Sequence, residues 1–158
     1  MTAIELINIK KYFKDGPDQI EALKETNLTI NKGEFVAVIG PSGSGKSTFL
    51  TIIGGLQSPS QGEVRLNGQA FSQKKEKARA KMRFDQIGFI LQASNLVPFL
   101  KIKDQLRLVD KVDKKKQRES IDSLFDQLGI ASIADKYPEE ISGGQRQRVA
   151  IARALYND

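Results

Sequence analysis

Phe35-Val36-Ala37-Val38-Ile39-Gly40-Pro41-Ser42-Gly43-Ser44-Gly45-Lys46-Ser47-Thr48 is the stretch on which the reading of this chain turns. Phe35–Ile39 is a continuous aromatic and β-branched run, the pattern of a strand buried on both faces of a parallel sheet. Gly40, Gly43 and Gly45 follow within six residues. Beyond them Phe49, Leu50, Ile52, Ile53 and Leu56 form an apolar helical stripe that ends around Gly54-Gly55. Gly40–Ser47 matches G-x-x-x-x-G-K-[ST] in full. A phosphate group needs backbone N–H donors converging on it with no side chain in the way, which glycines between a strand and a helix provide. Lys46 is expected to reach the β- and γ-phosphates, the Ser47 hydroxyl to sit on Mg²⁺, and Thr48 to hydrogen-bond the α-phosphate.

Outward from this loop the chain alternates strand and helix. Ile4–Ile9 reads as a first strand, Asp15-Gly16-Pro17-Asp18 as a turn, and Leu28–Ile30 as a strand running into a turn at Asn31-Lys32-Gly33. Glu63–Gly68 reads as a short strand with a turn, Gln73–Phe84 as a polar helix, and Ile87–Leu91 as a second buried strand. From about Leu106 to Leu128 the pattern is helical, with Ile121, Leu124, Phe125 and Leu128 on one face and Gly129 as its C-cap. A last helix begins at Ser142.

Composition excludes several chemistries. The 158 residues contain no cysteine and no histidine, which removes disulfides, thiolate metal sites and a Ser-His-Asp triad. The longest apolar run is Phe35–Ile39, far below the roughly 20 residues of a membrane-spanning helix. No charged-then-apolar leader with a cleavage site is visible at the start. The net charge of +6 is concentrated in Lys74–Lys81 and Lys114–Arg118. Both runs lie beside acidic residues and lack interleaved aromatics, so they read as solvated helix faces, with a binding patch as the alternative.

A second motif chooses among nucleotide-binding families. Ile141-Ser142-Gly143-Gly144-Gln145, continued by Arg146-Gln147-Arg148-Val149-Ala150-Ile151-Ala152-Arg153-Ala154, resembles the signature motif of ATP-binding cassette (ABC) ATPases, with Ile141 where the family usually has Leu. Ser142 suits an N-cap, and Gly143 and Gly144 leave the first helical N–H groups bare. The resemblance covers all 158 residues. It implies an α/β fold, a P-loop NTPase core of ABC type with a helical subdomain insert. The core is expected at 1–92 and 142–158, and the helical subdomain at 93–141.

The same resemblance assigns roles. ATP with Mg²⁺ is the implied ligand, cradled by Gly40, Pro41, Ser42, Gly43, Ser44, Gly45, Lys46, Ser47 and Thr48. It is faced in trans by Ser142, Gly143, Gly144 and Gln145 of a second subunit, in a nucleotide-sandwich homodimer. Gln92 resembles the Q-loop glutamine that touches Mg²⁺ or the attacking water. Tyr12 matches the residue that stacks on adenine, although Tyr12-Phe13 also suits a core pair under the sheet. Within the family the chain is most similar to ATPase subunits of lipoprotein-release, macrolide-export and haem-export systems. An integral-membrane permease is therefore the implied partner, contacting about Ala93–Lys103. The apolar run Leu96–Leu100 there suits a partner groove and local core equally. The implied location is cytoplasmic, peripheral on the inner face of the cell membrane.

The resemblance also implies a Walker B strand ending in an Mg²⁺-binding Asp and a catalytic Glu, then a dimer-contact loop and a switch histidine. No apolar run ending in paired acids follows Ser142, so these 158 residues are read as truncated before Walker B, able to bind ATP weakly and to hydrolyse it poorly. Neighbouring strands with open edges, and hence aggregation or low stability, are expected. Two alternatives remain: a non-hydrolysing nucleotide-binding module, and an ABC ATPase working on nucleic acid. The second is disfavoured because only about 50 residues separate Gln92 from Ser142, too few for the coiled coils of chromosome and repair relatives. No nucleic-acid partner is expected.

Overall fold

The computed structural model describes residues 1–113 and 118–157. The chain divides into two compact units, 1–83 and 84–158.

The first unit is built on a hairpin. Strand β1 (Thr2–Asp15) turns at Gly16-Pro17 and returns as β2 (Asp18–Asn31), with Asp15 opposite Asp18. Gly16 holds φ +59°, the left-handed turn geometry anticipated from its sequence. Strand β3 (Gln61–Leu66) pairs antiparallel with the other side of β1, and Asn67-Gly68 folds it back into the short β4 (Gln69–Ala70). The sheet order is β2-β1-β3-β4. Helix α1 (Lys46–Ile53) and most of α2 (Glu76–Gln86) complete the unit. Leu6, Ile9, Val64 and Leu66 from the sheet are buried, as are Phe49 and Ile52 of α1 and Phe71 beyond β4. Arg79 on α2 is mostly covered and bonds to Ser58, Glu76 and the Ser72 carbonyl, whereas Lys75, Lys77 and Lys81 are exposed.

The second unit is helical: α3 (Ile102–Val112), α4 (Ile121–Gln127), 3-10 turns at Ala131–Ile133 and Pro138–Glu140, and α5 (Gly143–Tyr156). Its core joins Ile102, Leu106 and Val109 of α3 to Leu124 and Phe125 of α4 and to Val149 and Ala152 of α5. Gly129 (φ +64°) ends α4 in a Schellman arrangement: its N–H donates to the Asp126 carbonyl and that of Ile130 to Phe125.

Several expectations are corrected. Phe35–Ile39 forms no strand among the described residues, with Phe35 97% and Ile39 90% exposed. A doubly buried strand needs a ladder on its edges and cover on its faces, and among the described residues neither is supplied. Ile87–Leu91 is likewise irregular and half-exposed, for the same reason. The helical pattern expected over 106–128 is carried by α3, which begins earlier at Ile102 and ends at Val112, and by α4, Ile121–Gln127. Of the basic run 114–118, Lys114–Gln117 lie outside the described residues. Arg118 is no solvated side chain: it is 3% exposed, pairs with Asp110 and lies against the Tyr156 ring.

Candidate functional site

The loop Gly40–Lys46 has the backbone its glycines allow. Gly40, Gly43 and Gly45 hold φ of +154°, +79° and +84°. At Gly45 the requirement is also spatial, since a Cβ there would lie 2.4 Å from the Ala22 carbonyl oxygen of β2. That close approach seats the start of α1 against the hairpin. Gly45 is the N-cap of α1 and offers no capping side chain; the first intrahelical bond runs from the Phe49 N–H to the Gly45 carbonyl at 2.8 Å. The N–H groups of Lys46, Ser47 and Thr48 are thus the ones an α-helix leaves without intrahelical acceptors. No acidic residue occupies the first turn to neutralise the positive helix end.

These groups open on a cavity of about 600 Å³ between Ile20–Ala22 of β2 and the loop, lined by Ser42, Gly43 and Gly45–Thr48. The Lys46 ammonium is folded back onto its own loop, donating to the carbonyls of Gly40 (2.8 Å) and Pro41 (2.6 Å). It therefore stands at the loop as a preset cation. A site with orphan N–H donors, a cation and no competing carboxylate in the helix turn fits a polyphosphate. The Ser47 hydroxyl in the same cavity is a hard oxygen donor suited to Mg²⁺. Among the described residues no cluster of three or more acidic or imidazole groups offers a metal site independent of such a ligand.

Tyr12 lies on β1 opposite Glu21, whose side of β2 lines the phosphate-loop cavity. The tyrosine itself lines an adjoining cleft with Phe13, Lys14, Gln19, Ser60 and Gln61, and its N–H donates to the Ser60 hydroxyl at 3.1 Å. Phe13 is 40% exposed, with the Lys11 ammonium 5.1 Å from its ring centre, so Tyr12-Phe13 is not a core pair.

In the second unit, Ser142 caps α5 with a full capping box. Its hydroxyl accepts from the Gln145 N–H at 3.2 Å, and its own N–H donates to the Gln145 side-chain oxygen at 2.9 Å. Gly143 and Gly144 are exposed, and a methyl group on either would meet none of the described residues closer than 4.0 Å. Internal packing thus gives no reason for either glycine. Gln92 is exposed and shares a cavity of about 420 Å³ with Gly143, Arg146 and Gln147 of α5 and with Ala93–Leu96. The structure so brings Gln92 beside the signature helix.

Two polar residues that sequence reasoning did not single out shape this region. Gln105 is completely buried on α3; its side-chain oxygen accepts from the Val97 N–H, and its amide donates to the Val97 and Leu100 carbonyls. A polar residue inside the apolar stripe Ile102-Leu106-Val109 was the readable signal. Arg153 on α5 donates to the carbonyls of Ser94 and Asn95. Nothing in the local pattern distinguished it from the other arginines of its helix. No helix among the described residues is long and apolar enough to cross a membrane.

Comparison with known proteins gives the family. Residues 23–158 match the ABC transporter family. The chain is 44% identical to the ATP-binding protein HrtA of Staphylococcus haemolyticus, over 99% of this chain and 72% of that protein. It is 40% identical to the lipoprotein-releasing system ATP-binding protein LolD of Saccharophagus degradans, over 98% and 69%. Among solved structures, the dimeric post-hydrolysis state of the ATP-binding cassette MJ0796, bound to ADP and Pi, superposes with a TM-score of 0.89. It is 38% identical, over 98% of this chain and 69% of that one. By the family match over residues 23–158 and by these relatives, the chain belongs to the ATP-binding subunits of ABC transporters.

Proposed function

We propose that this chain binds Mg²⁺-ATP at Gly40–Thr48 and couples it to a membrane permease as part of a nucleotide-sandwich dimer. The observation that carries the reading is the three-glycine loop, which opens onto the unsatisfied N–H groups of α1 beside Lys46. On ATP binding, the Lys46 ammonium exchanges its bonds to the Gly40 and Pro41 carbonyls for β- and γ-phosphate oxygens. The N–H groups of Lys46–Thr48 hold the remaining oxygens, and Ser47 and Gln92 hold Mg²⁺. Bound Mg²⁺ supplies charge neutralisation at the β- and γ-phosphates. Tyr12 stacks on adenine. Ser142–Gln145 face the γ-phosphate of a second copy, which the unfilled space beside Gly143 and Gly144 supports. The division expected from sequence, a core of 1–92 and 142–158 with a helical subdomain of 93–141, is retained as part of this proposal.

The permease is received at about Ala93–Lys103, where Phe99 is 77% exposed on a turn held by Gln105. The transport direction is export, as in the name of the bacitracin export ATP-binding protein BceA of Halalkalibacterium halodurans, 37% identical over all of this chain; LolD is named for lipoprotein release. HrtA, by contrast, is named for hemin import. The subunit then works at the cytoplasmic face of the cell membrane. No apolar run ending in paired acids follows Ser142 in these 158 residues, and a polypeptide of this extent is proposed to bind ATP without efficient turnover. Within that limit it behaves as a nucleotide-binding module. Calorimetry with Mg²⁺-ATP tests the reading: binding by the chain and its loss in Lys46→Ala are expected. Equal binding by both proteins would remove the phosphate loop as the site.

A further inference from the structure

Arg153 is half-buried on α5 and, among the described residues, is paired with no carboxylate. Its two terminal nitrogens instead go to consecutive backbone carbonyls, Nη1 to Asn95 at 3.0 Å and Nη2 to Ser94 at 3.1 Å. Burial pulls the guanidinium below its usual pKa, with no anion to offset the effect. The backbone it holds bends sharply: Asn95 has φ +45°, the left-handed region that asparagine adopts more readily than other non-glycine residues. This bend lies three residues after Gln92, and Arg153 lies eleven residues after Ser142 on one continuous helix, about 16 Å along its axis.

We infer that Arg153 is a positioning residue for Gln92: by donating to the Ser94 and Asn95 carbonyls, it ties the bend after Gln92 to α5, so that Gln92 and the Ser142 end of that helix keep one relative geometry. A planar fork suits two adjacent carbonyls; a lysine ammonium on a flexible stem does not hold both in fixed directions. Gln92 follows an irregular segment, Ile87–Leu91, which among the described residues pairs with no strand. The hold from α5 is therefore the contact that sets where its amide points. The inference rests on the reading of Gln92 as the Mg²⁺-side glutamine.

The test compares the 158-residue chain with Arg153→Met, Arg153→Lys, Gln92→Ala and the Gln92→Ala/Arg153→Met double variant. ATP affinity is measured with and without Mg²⁺, and amide hydrogen exchange is followed over residues 93–97. Exchange over 61–70 and 143–150 serves as the control for folding. Arg153→Met is expected to speed exchange over 93–97 about five- to tenfold, the effect of losing a backbone-holding hydrogen bond. It should cut the Mg²⁺-dependent gain in ATP affinity as far as Gln92→Ala does, and leave Mg²⁺-free affinity unchanged. Arg153→Lys should restore part of both, and the double variant should be no worse than Gln92→Ala. The inference is overturned if Gln92→Ala lowers the Mg²⁺-dependent gain and Arg153→Met does not. It is also overturned if Arg153→Met weakens binding equally with and without Mg²⁺. A Gln92→Ala variant that keeps the full gain removes the reading of Gln92, and this inference with it.

Discussion

Replacing Gly45 by alanine tests whether the phosphate loop is held by a packing contact and not by loop flexibility alone. Two costs apply at that position. An alanine at φ +84° is in the left-handed region, about 1–2 kcal/mol above its preferred conformations, offset by the lower entropy of the unfolded alanine chain. The new Cβ also falls 2.4 Å from the Ala22 carbonyl oxygen, well inside contact distance. Because that oxygen belongs to the backbone of β2, relief requires moving α1 away from the hairpin, an overpacking cost of about 1–3 kcal/mol. Gly43 is the matched control. It holds φ +79°, almost the same conformation, and a Cβ there meets nothing within 4 Å. Gly43→Ala is therefore expected to cost about 1 kcal/mol or less, and Gly45→Ala about 2–4 kcal/mol. Urea unfolding followed by circular dichroism reads the difference as midpoints separated by roughly 1–2 M. Equal losses for the two variants would refute the close approach between Gly45 and β2.

Gln105→Leu keeps the volume of a fully buried side chain but strands the Val97 N–H and the Leu100 carbonyl, while the Val97 carbonyl keeps the Leu100 N–H; a loss of about 2–3 kcal/mol is expected, read as a melting temperature lower by roughly 4–12 °C. Burial first, and then its hydrogen bond to Asp110, hold the Tyr156 phenol above its usual pKa, so the folded chain keeps a proton that the unfolded chain releases. The stability this contributes is complete below the unfolded value near 10 and declines as pH rises through the folded one. Tyr156→Phe should flatten that alkaline decline in thermal melts; an unchanged slope would place its origin elsewhere. Phe35 is 97% exposed beside unpaired backbone, so Phe35→Glu should reduce concentration-dependent light scattering and leave the melting temperature within about 1 °C, whereas a large drop would show that Phe35 is packed.

Much of the candidate site was legible in the residues because its chemistry is local. The glycines of the phosphate loop, Lys46, Ser47 and the Ser142–Gln145 capping box act through their own backbone geometry over a few residues. The sequence therefore sufficed to place the loop before α1 and the box at the start of α5. The turns at Gly16 and Gly129 were legible for the same reason. The family likewise followed from motif and spacing.

Tertiary structure alone decided the rest. Whether Phe35–Ile39 and Ile87–Leu91 become strands depends on partners elsewhere in space, and an apolar run cannot state whether its ladder will be filled. The same holds for the 2.4 Å space that forbids a side chain at Gly45, set by a carbonyl of β2 more than twenty residues earlier. Arg153 and Gln105 gained their roles only when the chain brought the 94–100 segment against α5 and α3. A hydrogen bond to a backbone carbonyl leaves no mark in the sequence of the residue that accepts it, because every residue carries that carbonyl.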